Sequence, residues 1–329
     1  MKNKLAIINS GFIGNYIKYL AEICDKNGVQ LDIFENIQDF SEYDFVITEW
    51  RHFHENACFV QHAHSLSYRV RNSNLLYKFI YFISHWRKIA YKKQKFLSAS
   101  KIFAVSNVLK NDLVKNYGVP SDKINVVYPG ITVTEHSNFD TKLATRKPFI
   151  VAMSGMGFVS KGGYIMLDAV RIFKKLYPDI KIKVNIIYPK YKKNLGVRAY
   201  VKLFGLDKDV EFFGRQEDMA SYYENCHVFV CPSISEAFGR VVVEAMNAGR
   251  PVIIGSNVGA VDIIQDGVNG FVYEADKKAS YNLAVKIKEV YDRYDSLEPL
   301  IERAYGQSKI FTWENFAKGI FETLYDIKN

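Results

Sequence analysis

Short apolar runs bounded by turn residues recur along this chain. In the first third they are Leu5–Ser10, Gln30–Phe34, Asp44–Thr48, Cys58–Ala63, Lys101–Ser106 and Ile124–Tyr128. Continuous runs of this length predict strands buried on both faces, as in a parallel sheet. Helical periodicity fills gaps between them at Tyr16–Lys26, Leu75–Phe96 and Val108–Asn116. A second series follows at Phe149–Met153, Ile182–Ile187, Val210–Phe213, Val228–Val230, Val252–Ile254 and Phe271–Tyr273. Strands alternating with helices predict an α/β fold with two doubly wound, Rossmann-like domains. Residues 132–147 are polar and aperiodic. The expected division is a first domain at 1–135, a linker at 136–147 and a second domain at 148–310. The tail, 311–329, carries Trp313, Phe316, Ala317, Ile320, Phe321 and Leu324 at helical spacing, a stripe that has to be buried against something.

With 329 residues the chain is long enough for two such domains. The apolar run Leu5–Ile8 after Met1-Lys-Asn-Lys is too short for a signal peptide, and no run approaches the roughly 20 residues of a spanning helix. Cys24, Cys58, Cys226 and Cys231 show no metal or redox spacing and read as buried, reduced thiols of a cytoplasmic protein. The net charge of +9 is local: no acid lies between Glu55 and Asp112, an interval holding ten cations, while the rest of the chain is close to neutral. Arg87, Lys88, Lys92, Lys93 and Lys95 cluster there on the helical segment Leu75–Phe96, interleaved with Phe79, Phe82 and Trp86. That pattern suits an anionic membrane surface or the pyrophosphate of a lipid-linked acceptor; a packed helix with a solvated basic face is the plain alternative. No nucleic-acid recognition module is visible.

The chemistry concentrates between Ser235 and Val252. Glu236 lies in a loop after an apolar run, and Glu244 falls inside a helix opened by Gly239 and Arg240 and closed by Gly249 and Pro251. A strand, a loop and a helix N-terminus make an anion site, because unpaired amides and the helix dipole converge there. Two carboxylates beside it suit a ligand with both phosphates and hydroxyls. The segment resembles the E-x7-E signature of retaining glycosyltransferases of family 4, which have the GT-B fold. Supporting motifs follow in order: Ala104 to Leu113, Tyr117 to Ile131, Phe158-Val-Ser-Lys-Gly-Gly, Val210-Glu-Phe-Phe-Gly, Cys231-Pro-Ser and Gly267-Val-Asn-Gly-Phe-Val. The likeness covers about residues 100 to 275 and is poor before that.

The resemblance implies two domains facing a cleft, with the tail packing back on the first. It implies a nucleotide-diphosphate sugar as donor, UDP favoured over GDP, with a glycan or lipid-linked acceptor in cell-surface polysaccharide or glycoconjugate synthesis. No metal and no cofactor are expected. Glu236 is expected to hold donor-sugar hydroxyls and Glu244 the ribose. The backbone of Ala237, Phe238 and Gly239 is expected to face the diphosphate or sugar, and Lys161, before Gly162, to neutralise the leaving group. The family's arginine six residues before this lysine is replaced by Gly155, with Arg215 and Arg240 as candidate substitutes. Gly11-Phe-Ile-Gly14 opens the first helix where backbone approaches the donor or acceptor, or is simply a tight turn.

Among the histidines, His52, His54, His62 and His64 form two H-x-H pairs whose geometry admits Zn²⁺. The resemblance instead assigns His64, then His62, to the donor sugar. Gly155-x-Gly157 is half of a dinucleotide fingerprint, with Ser160 in the third glycine's place. Asp207-Lys-Asp209 reads as a structural turn rather than a metal motif. The rival reading is a non-catalytic GT-B subunit that binds a membrane or polyanion.

Overall fold

The computed structural model describes residues 4–8, 13–35, 40–48, 57–61, 93–134 and 148–326. The chain divides into two compact units, one of Met1–Gly130 with Phe311–Asn329 and the other of Ile131–Ile310. The division falls at Gly130, a few residues ahead of the expected boundary. The segment read as linker, 136–147, lies outside the described residues.

The first unit is a six-stranded parallel sheet of β1 (Lys4–Ile8), β2 (Gln30–Phe34), β3 (Phe45–Thr48), β4 (Ala57–Gln61), β5 (Lys101–Ala104) and β6 (Ile124–Val126). Their order is β2-β1-β3-β4-β5-β6. All six start within a residue of the apolar runs, and β1, β4, β5 and β6 end two residues sooner: an apolar run fixes where a buried strand lies better than where it stops. Helix α1 (Ile17–Lys26) returns from β1, and α2 (Asn107–Tyr117) follows β5. Ser106 caps α2 by accepting from the Leu109 amide at 3.0 Å, and Gly118 ends it in the left-handed conformation.

The tail helix α9 (Trp313–Leu324) belongs to this unit. Its apolar stripe is buried in one cluster with Leu5, Ile7, Tyr16 and Leu20, and the Phe316 ring meets Tyr16 edge-on at 5.0 Å. Gly130 is required where this tail begins. A Cβ there would lie 2.2 Å from the Trp313 nitrogen.

The second unit is another six-stranded parallel sheet: β7 (Phe149–Ser154), β8 (Ile182–Ile187), β9 (Val210–Phe213), β10 (Val228–Cys231), β11 (Val252–Gly255) and β12 (Phe271–Tyr273). The order is β12-β11-β10-β7-β8-β9. Helices α3 (Gly163–Leu176), α4 (Leu195–Leu203), α5 (Met219–Glu224), α6 (Arg240–Asn247), α7 (Ala279–Arg293) and α8 (Glu298–Ser308) connect and cover it. α3 and α7 share one apolar core built on Phe173, Val184, Val230 and Ile287. The chain thus has the two doubly wound, Rossmann-like domains of the α/β class.

Candidate functional site

In the second sheet the winding reverses between β7 and β10. β8 and β9 lie to one side of β7, and β10, β11 and β12 to the other. In open parallel sheets such a switch point leaves a crevice beyond the carboxyl ends of the two central strands. The two loops that border it here are 155–162, after β7, and 232–239, after β10. These loops hold Lys161 and Glu236.

The first loop is a compact turn. The Lys161 amide donates to the Gly157 carbonyl at 2.8 Å, and the Gly163 amide to that of Phe158 at 2.7 Å. Gly162 has φ +74° and opens α3. A Cβ at Gly162 would sit 1.8 Å from the Pro232 carbonyl oxygen, so only glycine lets the turn rest on the facing loop. The Ile234 amide closes the contact by donating to the Ser160 carbonyl at 2.9 Å.

The second loop is held from the opposite side. The Gly259 amide donates to the Glu236 carbonyl at 2.9 Å and the Ala260 amide to that of Phe238 at 2.7 Å. The Asn257 side-chain amide donates to the carbonyls of Ser233 and Ile234 at 3.1 and 2.6 Å. Gly239, at φ +97°, turns the chain into α6. The side chains of Ala237 and Phe238 are buried, whereas Arg240 on the next position is exposed.

Between the loops the Lys161 ammonium pairs with Glu236 Oε2. The Ser233 hydroxyl donates to the same oxygen at 3.2 Å. The Glu236 side chain is only 13 % exposed and that of Lys161 33 %, so the pair is partly withdrawn from solvent but open on one side. Glu244, one turn into α6, accepts from the Tyr223 hydroxyl of α5 at 2.9 Å. Burial first, and the Glu244 charge next, push the Tyr223 hydroxyl far above the ordinary phenol range, so it stays a donor. Burial, with the Glu236 charge second, pushes the Cys231 thiol beneath the loop up to about 11.

The structure therefore brings together Lys161, Gly162, Glu236, Ala237, Phe238, Gly239 and Arg240, with Glu244 on the same helix. Arg215 is exposed after β9, the edge strand, two strands and so roughly 10 Å from the turn. Gly155, where the family arginine would stand, is buried. Its amide donates to the Ile187 carbonyl at 2.9 Å, and a Cβ would meet Ile186 Cγ2 at 3.1 Å.

In the first unit Gly14 lies in a short 3₁₀ turn, and a Cβ there would meet nothing within 4 Å among the described residues, none of which therefore requires a glycine at this position. Gly11, His52, His54, His62, His64, Arg87, Lys88 and Lys92 lie outside the described residues. Lys93 is exposed, but Lys95 is 3 % exposed beside buried Phe96, whose ring meets Tyr117 edge-on at 5.2 Å. Lys95 is therefore withdrawn from the solvated basic face on which its spacing placed it. Asp209 pairs with Lys174, in keeping with a structural turn.

Three supporting residues escaped the sequence reading: Ser233, Asn257 and Tyr223. Ser233 sits in a quoted motif without a role. Asn257 and Tyr223 carry no motif, and only the sheet order brings them to the loops.

Comparison with known proteins agrees with this architecture. Residues 135–307, more than half the chain, match the family model described as "Glycosyl transferases group 1", and residues 10–135 match "Glycosyltransferase Family 4". A D-inositol 3-phosphate glycosyltransferase of Corynebacterium kroppenstedtii is 25 % identical over 244 residues, 70 % of this chain and 54 % of the relative. The matched region thus spans about half the length of that relative. Among solved structures, sucrose-phosphate synthase from Thermosynechococcus elongatus superposes with a TM-score of 0.72 at 15 % identity, covering 99 % of this chain and 100 % of the other. Anabaena HepE in complex with UDP gives 0.69 at 18 % identity, covering 98 % and 100 %. At such identities the structures speak for the fold, which is GT-B, and the family model speaks for descent: the chain belongs to the group 1 glycosyl transferases.

Proposed function

We propose that the protein is a retaining, metal-independent glycosyltransferase that takes a nucleotide-diphosphate sugar, UDP-linked in preference to GDP-linked, and transfers the sugar to a glycan or lipid-linked acceptor. The observation that carries this reading is the Lys161–Glu236 pair at the switch-point crevice, between two left-handed glycines that open α3 and α6. A diphosphate set there meets two helix N-termini and one ammonium. Lys161 has donors to spare beyond its carboxylate partner and can share them with phosphate oxygens. Glu236 then faces sugar hydroxyls, and Glu244, oriented by Tyr223, faces the ribose.

The reaction is a same-face substitution. The acceptor oxygen bonds to the anomeric carbon as its bond to the diphosphate breaks. The acceptor proton passes to a donor phosphate oxygen. No carboxylate base is needed, so the protein's contribution is positioning and stabilisation of the departing charge. His64 is proposed as a contact of the donor sugar, and the first domain as the one that takes the acceptor. We place the protein on the cytoplasmic side of a membrane, in cell-surface polysaccharide synthesis, with the basic interval 56–111 as a membrane contact. Among the described residues no helix is long and apolar enough to cross a bilayer.

The test is a panel of UDP- and GDP-sugars read by thermal shift, because a ligand that binds only the folded state raises Tm. It is followed by NMR of the product formed in EDTA. Stabilisation by UDP-sugars and a product with the donor's anomeric configuration are expected. Inversion, or activity that returns only with added Mn²⁺, refutes the mechanism. Stabilisation without turnover on any acceptor favours the alternative, a non-catalytic subunit, for which the buried glycine at position 155 is the supporting observation.

A further inference from the structure

Helix α4 turns an unusual face to solvent. Its inward side is Val197 and Val201, both buried, with Tyr200 half-buried beside them. The outward side carries Leu195, Ala199 and Leu203, spaced i, i+4 and i+8, which is a single line along the helix. Leu195 is 74 % and Leu203 77 % exposed, and Phe204 follows at 39 %. Scattered exposed leucines need no explanation, but an aligned stripe on the wrong side of an amphipathic helix does.

Charge frames this stripe. Arg198 and Lys202 lie one helical position to its side, and Lys190, Lys192 and Lys193 occupy the exposed turn before it. No acidic residue occurs from Tyr188 to Leu206. None of these five cations forms an ion pair among the described residues; Arg198 donates only to the Lys192 carbonyl, at 3.3 Å. A protein interface of ordinary composition disfavours lysine at its centre. A nucleic acid gains little from an aliphatic stripe. An anionic bilayer satisfies both halves of the pattern, taking leucines among the acyl chains and lysines among the headgroups.

We propose that α4 and the turn before it form a docking surface on the second domain for an anionic membrane. This goes beyond the contact suggested for the first domain and stands on its own residues. The inward side of the helix that carries this surface packs on the first turn of α3. Tyr200 of α4 meets the Tyr164 ring edge-on at 5.3 Å, and Tyr164 lies in the first turn of α3, three residues after Lys161. Docking through α4 therefore holds the donor turn close to the bilayer.

The experiment is co-sedimentation of the full chain with vesicles of equimolar phosphatidylglycerol and phosphatidylcholine, and with phosphatidylcholine alone, at low and high salt. Two variants are compared, Leu195→Ser/Leu203→Ser and Lys190→Gln/Lys192→Gln/Lys193→Gln. All five side chains are exposed or in an exposed turn, so Tm should hold, and the lysine variant keeps the test alive if the leucine variant does not fold. Salt-sensitive binding to the anionic vesicles is expected for the unaltered chain, at least tenfold weaker in each variant, with UDP affinity unchanged. The proposal is overturned if the unaltered chain ignores anionic vesicles at low salt, or if both variants bind like it. A leucine variant that dissolves a dimer while leaving vesicle binding intact also overturns it, and marks the stripe as a protein interface.

Discussion

Lys161 and Glu236 pair across the gap between the turn after β7 and the loop after β10, and Ser233 shares the same carboxylate oxygen. The cation proposed to meet a diphosphate thus has a carboxylate counter-charge within the protein itself. The pair and the Ser233 hydroxyl hold both side chains in place, so the charges of the proposed donor site are set in advance.

Removing one partner should hurt more than removing both. Lys161→Ala leaves a largely buried carboxylate without its cation and should lower stability by about 1–2 kcal/mol, tempered by the open side of the site. Lys161→Ala/Glu236→Ala should recover part of that loss, while UDP binding stays at least tenfold weaker in both. Urea titration of the unaltered protein, Lys161→Ala, Glu236→Ala and the double variant closes a double-mutant cycle that measures the coupling. Strict additivity would show that the pair carries no interaction.

The two glutamates should separate kinetically. Glu244→Ala is expected to weaken UDP binding by about 1.5–3 kcal/mol, the value of hydrogen bonds to a charged acceptor. Tyr223→Phe should cause a smaller loss, since the carboxylate remains but is no longer oriented. Glu236→Ala should mainly lower kcat. Calorimetry with UDP and steady-state kinetics check the split, and equal UDP affinity in Glu244→Ala and the unaltered protein would falsify the ribose assignment.

Gly162→Ala should damage fold and site together. The left-handed φ and the 1.8 Å approach to the Pro232 carbonyl leave no room for a methyl group. A loss above about 2 kcal/mol and abolished UDP binding are expected. Gly14→Ala, where no described residue lies within 4 Å of the added carbon, is the control and should change Tm little. A Gly162→Ala protein with native Tm would contradict the packing described.

The thiols give a pH signature. All four cysteines are free and buried, and burial pushes Cys231 and Cys58 up to about 11. The folded state therefore holds these protons beyond the ordinary thiol value of 9.0. Stability from this source is complete below that value and is lost as pH rises from it towards about 11. Native protein at pH 8 should react negligibly with a thiol reagent and release four equivalents in denaturant. Fast reaction of even one native thiol would contradict the burial.

The tail helix should matter for the first domain. Phe316, 1 % exposed and edge-on to Tyr16, is expected to cost about 3–5 kcal/mol when changed to Ala. Hydrogen exchange should show the loss in α1 and β1. Unchanged protection there would separate the tail from that core.

Much of the fold was legible because buried parallel strands announce themselves. β2, β8, β9 and β12 fall where their apolar runs predict, and α6 begins and ends at its glycines. Lys95 shows the limit of spacing: a basic pattern does not reveal which lysine is folded inward, since that depends on how residues 93–98 rest on Tyr117. Tyr223 shows another, because nothing local links it to a glutamate 21 positions on.

Patterns along the chain were enough for the two strand–helix series, the loop and helix that carry Glu236 and Glu244, and the glycine-bearing turn after Lys161. Each is a local pattern, set by neighbours within a few residues. Packing of α4 turns its leucines outward, and packing of the sheet brings Lys161 to Glu236 and Pro232 against position 162. The two loop contacts depend on strand order, which places β7 beside β10 although the chain passes through β8 and β9 between them. No local pattern of hydrophobicity encodes that adjacency, because it is fixed by the packing of the whole sheet.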